Sequence, residues 1–238
     1  VDTSMVYCED SPTTMAVVAL SDEGEDSYRF VRGADQMLNT EDVAKSLPIQ
    51  AKLFHFGSVS LTAGPSRAAT VFAVREAKAK GAVTSFSPTY REFLWPSAES
   101  ALQWMFLSLP VVDILKLSEE ELFMMTGTKD PVLGCQALES HNVPLVLITL
   151  GEKGAFFRWQ GQTGLVPGVP TQVIDANGAG DCFIGAVLSR LAQRPEGPLT
   201  NLTVPELEEI LAFANRAAAW TCAHSGAIPA MPYPKDLA

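Results

Sequence analysis

Residues 173–183 read Val-Ile-Asp-Ala-Asn-Gly-Ala-Gly-Asp-Cys-Phe, and the interpretation of the whole chain starts from this stretch. Its apolar beginning predicts a short strand, and the pattern that follows predicts an amphipathic helix over about 180–192. Gly178, Ala179 and Gly180 carry no bulky side chain where that helix begins, so backbone N–H groups can converge there. The helix dipole adds about half a positive charge. The stretch can therefore hold a phosphate group without Lys or Arg.

Asp181 follows the glycines directly, in the first turn of the predicted helix. A carboxylate beside a bound phosphate can accept the proton of an attacking hydroxyl group. A structural interpretation is also open, in which Asp175 or Asp181 caps the helix and the glycines form a tight turn. These residues alone do not separate the two interpretations.

Short apolar runs alternate with longer amphipathic stretches between residues 52 and 149. Such alternation indicates βαβ units, and therefore an α/β protein with a mostly parallel sheet and helices on both faces. The predicted strands are 52–56, 82–86, 111–116 and 145–149, and the predicted helices are 65–80, 97–107, 118–126, 131–141, 180–192 and 205–224. Two hairpins are predicted in addition, one from 13–20 and 27–32, the other from 155–159 and 164–169 around Gly161–Gly164.

The overall charge and the cysteines exclude several classes of protein. With 17 basic and 27 acidic residues among 238, the formal net charge is −10, which argues against a nucleic-acid binder. No apolar stretch approaches the roughly 18 residues that span a bilayer. The four cysteines, at positions 8, 135, 182 and 222, form no CxxC pair, so reduced thiols and a cytoplasmic location are expected.

The string Asp-x-x-Gly-Ala-Gly-Asp at 175–181, followed by an apolar helix, resembles the C-terminal signature of the ribokinase-like sugar kinases, the phosphofructokinase B family. Residues 147–155, 213–219 and 225–229 resemble further family motifs, and 55–61 looks most like fructokinases. The resemblance implies a three-layer αβα sandwich with a small β lid. It also implies an ATP-dependent carbohydrate kinase, with fructose as the leading substrate.

The resemblance also implies roles for individual residues. Asp181 would be the catalytic base, and the backbone of Gly178, Ala179 and Gly180 would stabilise charge on the phosphoryl group. The ATP site would be lined by Thr149, Gly151, Gly154 and Asn215. The sugar would be approached by Phe30, Arg32 and Arg91, although Phe30 can equally be a packing residue and Arg91 a surface charge.

Two metal sites belong to the same set of implications. Glu121 would hold Mg²⁺ through water, in a string where Ser118 replaces the Asn of the family motif. Ser118 and Glu121 also have the spacing of a helix capping box, and the two roles are compatible. Asp175, with the region of Gly226, would lie near a potassium-type ion.

Some features depart from the family pattern and keep alternatives open. Ser87 and Thr89 replace an acid and an amide of the family, and a hydroxyl group cannot supply a carboxylate's charge. The family also has several tens of residues ahead of the first residues here, so the chain is expected to be part of a longer polypeptide. Within it, residues 1–35 would be part of the lid and 36–238 the kinase core.

The alternatives are a kinase for another sugar, a sugar acid or a riboside, and a catalytically silent nucleotide-binding homologue. The expected partners are ATP and a sugar, with a homodimer through the lid and with neither nucleic acid nor membrane. The histidines at 55, 141 and 224 are scattered, so ordinary structural or surface roles are expected for them.

Overall fold

The computed structural model describes residues 3–19, 27–47 and 50–237, and these residues form eight strands and seven α-helices. The strands are β1 Met15–Ala19, β2 Ser27–Val31, β3 Leu53–Gly57, β4 Val83–Ser87, β5 Ile114–Ser118, β6 Leu145–Thr149, β7 Gly154–Trp159 and β8 Gln162–Pro167. The helices are α1 Thr40–Ser46, α2 Gly64–Ala79, α3 Ala98–Ser108, α4 Glu119–Thr126, α5 Pro131–Ala137, α6 Ala179–Gln193 and α7 Val204–Cys222. None of these helices is both long and apolar enough to cross a membrane.

The strands form two sheets. Strands β3 to β8 lie side by side in chain order, with β3 to β6 parallel and β7 and β8 antiparallel to their neighbours. Strands β1 and β2 form a separate antiparallel hairpin, as predicted. Because β3 to β6 are parallel, their carboxyl ends meet at one edge of the large sheet.

Helices cover both faces of the large sheet, which confirms the predicted three-layer αβα sandwich. On one face α2, α3, α4 and α5 pack on Leu115 and Leu117 of β5. On the other face α6 and α7 pack on Ile114 of the same strand. Successive side chains of a strand point to opposite faces, so β5 contributes to both layers of core.

Two predicted boundaries were wrong, and backbone hydrogen bonding explains both. Residues 173–175 do not form a strand among the described residues, because the amides of Ile174 and Asp175 both donate to the carbonyl of Cys222 at the end of α7, at 2.8 and 3.2 Å. The β7–β8 hairpin turns at Gln160 and Gly161, both with positive φ, so β8 begins at residue 162 rather than 164.

The helices differ from the prediction in two places. The predicted helix 131–141 ends at Ala137, and a separate 3₁₀ turn covers Glu139–His141. Helix α1 was not predicted. Its sequence signal is a capping box, in which the Asn39 side chain accepts from the amide of Asp42 and the Asp42 side chain accepts from the amide of Asn39.

Gly154, where β7 begins, gives a direct test of this architecture. Its φ is +102°, and a Cβ there would lie 2.2 Å from the carbonyl oxygen of Val166 and 2.4 Å from the amide of Gly168. We expect Gly154→Ala to lower the free energy of unfolding by about 3 kcal/mol, through strain and overpacking together. Urea unfolding measures this change.

Gly161→Ala is the matched control, because its φ is +76° but no described atom lies within 4 Å of the added Cβ. Its expected cost is about 1 kcal/mol. If both variants lose the same free energy of unfolding, the close contact between β7 and β8 at Gly154 does not contribute to stability.

Candidate active site

Side chains on the sheet face toward α6 change from apolar to polar as the strands approach their carboxyl ends. Strand β4 changes from Val83 to Ser85 and Ser87, and β5 changes from Ile114 to Lys116. Ser85, Ser87 and Lys116 are all buried. Ligands of open α/β sheets bind outside the carboxyl ends of the strands, so this polar region marks the candidate site.

Helix α6 begins over this region, and no described side chain caps it. Its N-cap is Gly178, whose φ is +80° and whose added Cβ would lie 3.2 Å from Ala227. The amide of Ala179 donates to the carbonyl of Ala176 at 3.2 Å. The amides of Gly180 and Asp181 have no acceptor within the described parts of the chain, so the interpretation in which Asp175 or Asp181 caps this helix is wrong.

Asp181 lies in the first turn of α6 and its side chain is exposed. No described Lys, Arg or His forms an ion pair with it within 4 Å. The carboxylate is therefore available to a ligand, next to two amides that can bind an anion.

Asp175 connects the turn before α6 to the C-terminal loop. Its Oδ1 accepts from the backbone and side-chain amides of Asn177 at 2.9 and 2.8 Å, and its Oδ2 accepts from the amide of Gly226 at 2.9 Å. The backbone amides of Asn177 and Gly226 lower the pKa of this carboxyl group below its ordinary value. Asp175 thus remains charged and holds the two loops together.

Lys116 reaches from β5 to the beginning of α6. Its Nζ lies 3.2 Å from the position that a Cβ on Gly180 would occupy. The side chain is only 7% exposed. A side chain at position 180 would crowd this ammonium group, and the glycine avoids that contact. Lys116 therefore belongs to the candidate site.

His55, on β3, also belongs to this neighbourhood. Its Nδ1 lies 3.1 Å from the hydroxyl of Ser85. His55 is exposed, but partial desolvation by the surrounding atoms lowers the pKa of its imidazole; Asp181 opposes this effect and Lys116 adds to it. The site thus combines His55, Lys116 and Asp181 from three different elements.

Glu121 is buried, and its carboxylate is hydrogen-bonded to the loop that follows β4. Its Oε2 accepts from the amide of Ser118 at 2.8 Å, and the Ser118 hydroxyl accepts from the amide of Glu121, so the predicted capping box is confirmed. Its Oε1 accepts from the amide of Tyr90 at 2.9 Å. The carboxylate thereby connects α4 to the loop that contains Thr89, which has a φ of +49°.

The four residues predicted to line the ATP site lie at the same end of β6, β7 and β8. The hydroxyl of Thr149, at the end of β6, donates to the carbonyl oxygen of Leu117 at 3.3 Å. Gly151 is exposed in the turn that follows, and Gly154 is buried against β8. The side-chain amide of Asn215, on α7, donates to the carbonyls of Val166 and Pro167 at 3.0 and 2.9 Å.

The three residues predicted to approach the sugar already make contacts within the chain. The Phe30 ring packs on that of Phe93, with centroids 5.5 Å apart. Arg32 forms an ion pair with Asp35 and donates to the hydroxyl of Thr62 at 3.0 Å. The guanidinium of Arg91 donates to the carbonyl of Tyr90 at 2.9 Å.

Comparison with known families agrees with this geometry. The profile described as pfkB family carbohydrate kinase matches residues 1–234. The chain belongs to this family. Fructokinase-1 of Oryza sativa subsp. japonica is 37% identical over 236 residues, which cover 97% of this chain and 72% of the rice protein. The activity of this pfkB-family chain is therefore that of an ATP-dependent sugar kinase.

Solved structures of fructokinases share the fold of this pfkB-family kinase. A double mutant of the Vibrio cholerae O395 fructokinase, with fructose, ADP and potassium ion bound, matches with a TM-score of 0.88 at 30% identity. That match covers 100% of this chain and 76% of the Vibrio cholerae chain. The fructokinase of Xylella fastidiosa with bound ATP gives a TM-score of 0.86 at 29% identity, over 97% of this chain and 73% of the other.

Sequence reasoning missed two residues of the site in this kinase. Lys116 interrupts the apolar run Ile114-Leu-Lys-Leu117, and a charge inside a buried strand is a signal that the sequence contains. His55 was assigned an ordinary role because the three histidines are scattered and no nucleophile or ligand lies near them in the sequence. Only the pairing of β3 with β4 and the position of α6 bring these residues near Asp181.

The bonds of Asp175 predict a pH-dependent effect on stability. We expect Asp175→Asn to lower the Tm at pH 7 by about 2–5 °C, because an amide cannot accept all the hydrogen bonds that the carboxylate accepts. Since the folded-state pKa is depressed, this contribution is present above the ordinary Asp pKa of 3.8 and is lost as pH falls through the folded value.

The difference in Tm between wild type and Asp175→Asn should therefore narrow below about pH 4 in a series of thermal melts. Glu208→Gln changes an exposed carboxylate on α7 and serves as the control. A difference that stays constant between pH 7 and pH 3 would contradict the role of the Asp175 charge.

Proposed function

We propose that this protein transfers the terminal phosphoryl group of ATP to a hydroxyl group of fructose. One observation carries the proposal. Helix α6 begins without a cap from any described side chain, and an exposed carboxylate, Asp181, lies in the same turn as its available amides. The similarity of nearly the whole chain to rice Fructokinase-1 and to a fructose-bound Vibrio cholerae fructokinase supports fructose as the sugar.

The residues at α6 divide the work of phosphoryl transfer. The amides of Gly180 and Asp181, with the backbone turn of Gly178 and Ala179 that directs them, hold the oxygens of the terminal phosphoryl group. Asp181 accepts the proton of the sugar hydroxyl while that oxygen attacks phosphorus. Because the transferring group is loosely bonded in the transition state, positioning and charge stabilisation supply most of the acceleration.

The nucleotide lies along the carboxyl end of β6 in this proposal. Thr149 and Gly151 face the phosphates and ribose. Gly151 has open space beside it for the nucleotide, because no described atom lies within 4 Å of an added Cβ. Gly154 and Asn215 shape the same end by holding β7, β8 and α7 together. Fructose lies on the side of Phe30, Arg32 and Arg91.

Magnesium belongs to the proposal as a partner of the nucleotide. Among the described residues no group of three or more His, Cys, Asp or Glu could hold a metal by itself. This fits Mg²⁺, which in kinases binds substrate phosphates and water with one or two carboxylates. Glu121 accepts one amide on each oxygen and keeps lone pairs for a metal-bound water. When bound, the ion would neutralise charge on the phosphates.

A potassium-type ion is proposed near Asp175. The carboxylate lies where the turn before α6 meets the loop of Gly226, so an ion beside it would order both the turn and the amides that follow. The potassium ion in the Vibrio cholerae fructokinase structure supports this choice of cation.

We also propose a cytoplasmic homodimer that forms through the β1–β2 hairpin. Met15, Val17 and Val31 of this hairpin are all more than half exposed, and Met15 is directly opposite Val31. Burial of these side chains against a second copy would remove apolar surface from water. The four free cysteines agree with a reducing compartment.

A panel of acceptors tests the proposed substrate in the full-length protein. With ATP and Mg²⁺, we expect ADP release with fructose to exceed that with glucose, ribose, a keto-deoxy sugar acid and a riboside by at least about tenfold in kcat/KM, a difference of about 1.4 kcal/mol. A higher kcat/KM with any other acceptor would identify that acceptor, rather than fructose, as the preferred substrate. No ADP release with any acceptor would contradict kinase activity.

Asp181→Ala tests the proposed base. We expect kcat to fall by about 10²–10⁴-fold, because general base catalysis is lost, while ATP affinity measured by calorimetry changes less than about threefold. Glu208→Ala, which removes an exposed carboxylate from α7, should leave both quantities unchanged. Turnover close to wild type in Asp181→Ala would exclude this residue as the base.

A further inference from the structure

Lys116 occupies a position where a strand of this kind ordinarily carries an apolar residue. It is 7% exposed, and Leu115 and Leu117 on either side of it are completely buried. Ile114, two residues earlier on the same face of β5, packs in the core beneath α6 and α7. Burial of an ammonium group is costly unless an anion or several hydrogen-bond acceptors compensate for the lost hydration.

The chain itself supplies no such compensation in its described part. No carboxylate of a described residue lies within 4 Å of the Lys116 ammonium, and no hydrogen bond from it is found there. Lys78 has a carboxylate partner although its side chain is 38% exposed, because its ammonium pairs with Asp113 at 2.5 Å. Within the residues that the structure describes, the buried charge of Lys116 therefore has no counter-ion.

The ammonium group is directed at the uncapped beginning of α6. Its Nζ lies 3.2 Å from the Cβ position of Gly180, whose amide has no acceptor among the described residues. The positive end of the helix dipole and a lysine ammonium repel each other when nothing lies between them. A bound anion with several oxygens would accept hydrogen bonds from both.

We propose that Lys116 is a further catalytic residue, whose ammonium group donates hydrogen bonds to the terminal phosphoryl group of the nucleotide held at the N-terminus of α6. The inference rests on the proposed kinase function. During transfer the bond from phosphorus to the leaving oxygen of ADP breaks, a bond to the sugar oxygen forms, and the hydroxyl proton goes to Asp181. Lys116 keeps its protons and stabilises the charge on the non-bridging oxygens.

This assignment predicts a difference between nucleotides. ADP lacks the group that Lys116 would contact, so the residue should favour a triphosphate over a diphosphate. We expect Lys116→Met in the full-length protein to weaken binding of a non-hydrolysable ATP analogue about 10- to 100-fold, the range for a charge-assisted hydrogen bond. Affinity for ADP should change less than threefold, and kcat with fructose should fall at least 100-fold.

Thermal melts distinguish this role from a structural one. Removal of an unpaired buried charge should leave the Tm of the nucleotide-free protein unchanged or higher, whereas loss of a structural contact would lower it. Lys80→Met removes an exposed lysine at the end of α2 and controls for the change in net charge. If Lys116→Met does not fold, Lys116→Gln is measured in the same way.

The nucleotide measurements also separate this inference from the proposed function. An equal loss of affinity for the ATP analogue and ADP, or no loss for either, would overturn the role of Lys116 even if the wild type phosphorylates fructose. If the wild type phosphorylates no sugar, the proposed function fails. A selective loss of affinity for the ATP analogue would then still support contact between Lys116 and the terminal phosphate.

Discussion

The free amides at the beginning of α6 are the constraint on which the site depends. A helix end leaves four N–H groups without intrahelical partners, and these are ordinarily satisfied by a cap or by water. Here Gly178 cannot cap, and Asp175 uses its oxygens on Asn177 and Gly226 instead. The amides of Gly180 and Asp181 therefore remain for an anion, at the end of the helix where the dipole favours negative charge.

The sheet gives these amides their surroundings. The carboxyl ends of four parallel strands lie at one edge of the sheet. On the face toward α6, the side chains of these strands change from apolar to polar near that edge. Lys116 from β5 and His55 from β3 thereby reach the neighbourhood of Asp181. An acidic chain can bind a polyanion in this way, because a few oriented groups determine the local potential more than the net charge does.

Several residues with implied binding roles also hold the structure together. Glu121 connects α4 to the loop after β4, Asn215 connects α7 to the end of β8, and Arg32 connects the β1–β2 hairpin to the loop after β3. Each bond joins elements that are distant in sequence. A site at the meeting point of such bonds is held rigidly, which is what positioning of a nucleotide and a sugar requires.

The sequence by itself determined the α/β class, the family and the position of the glycine-rich helix start, since these follow from local periodicity and from a contiguous string that ends at Asp181. It also contained the capping box of Ser118, a local interaction within one turn. Only the tertiary structure decided that 173–175 is not a strand, because its amides bond to the end of α7. Likewise, only the packing of α6 over β5 placed Lys116 beside Gly180, since the two residues are 64 positions apart in the sequence.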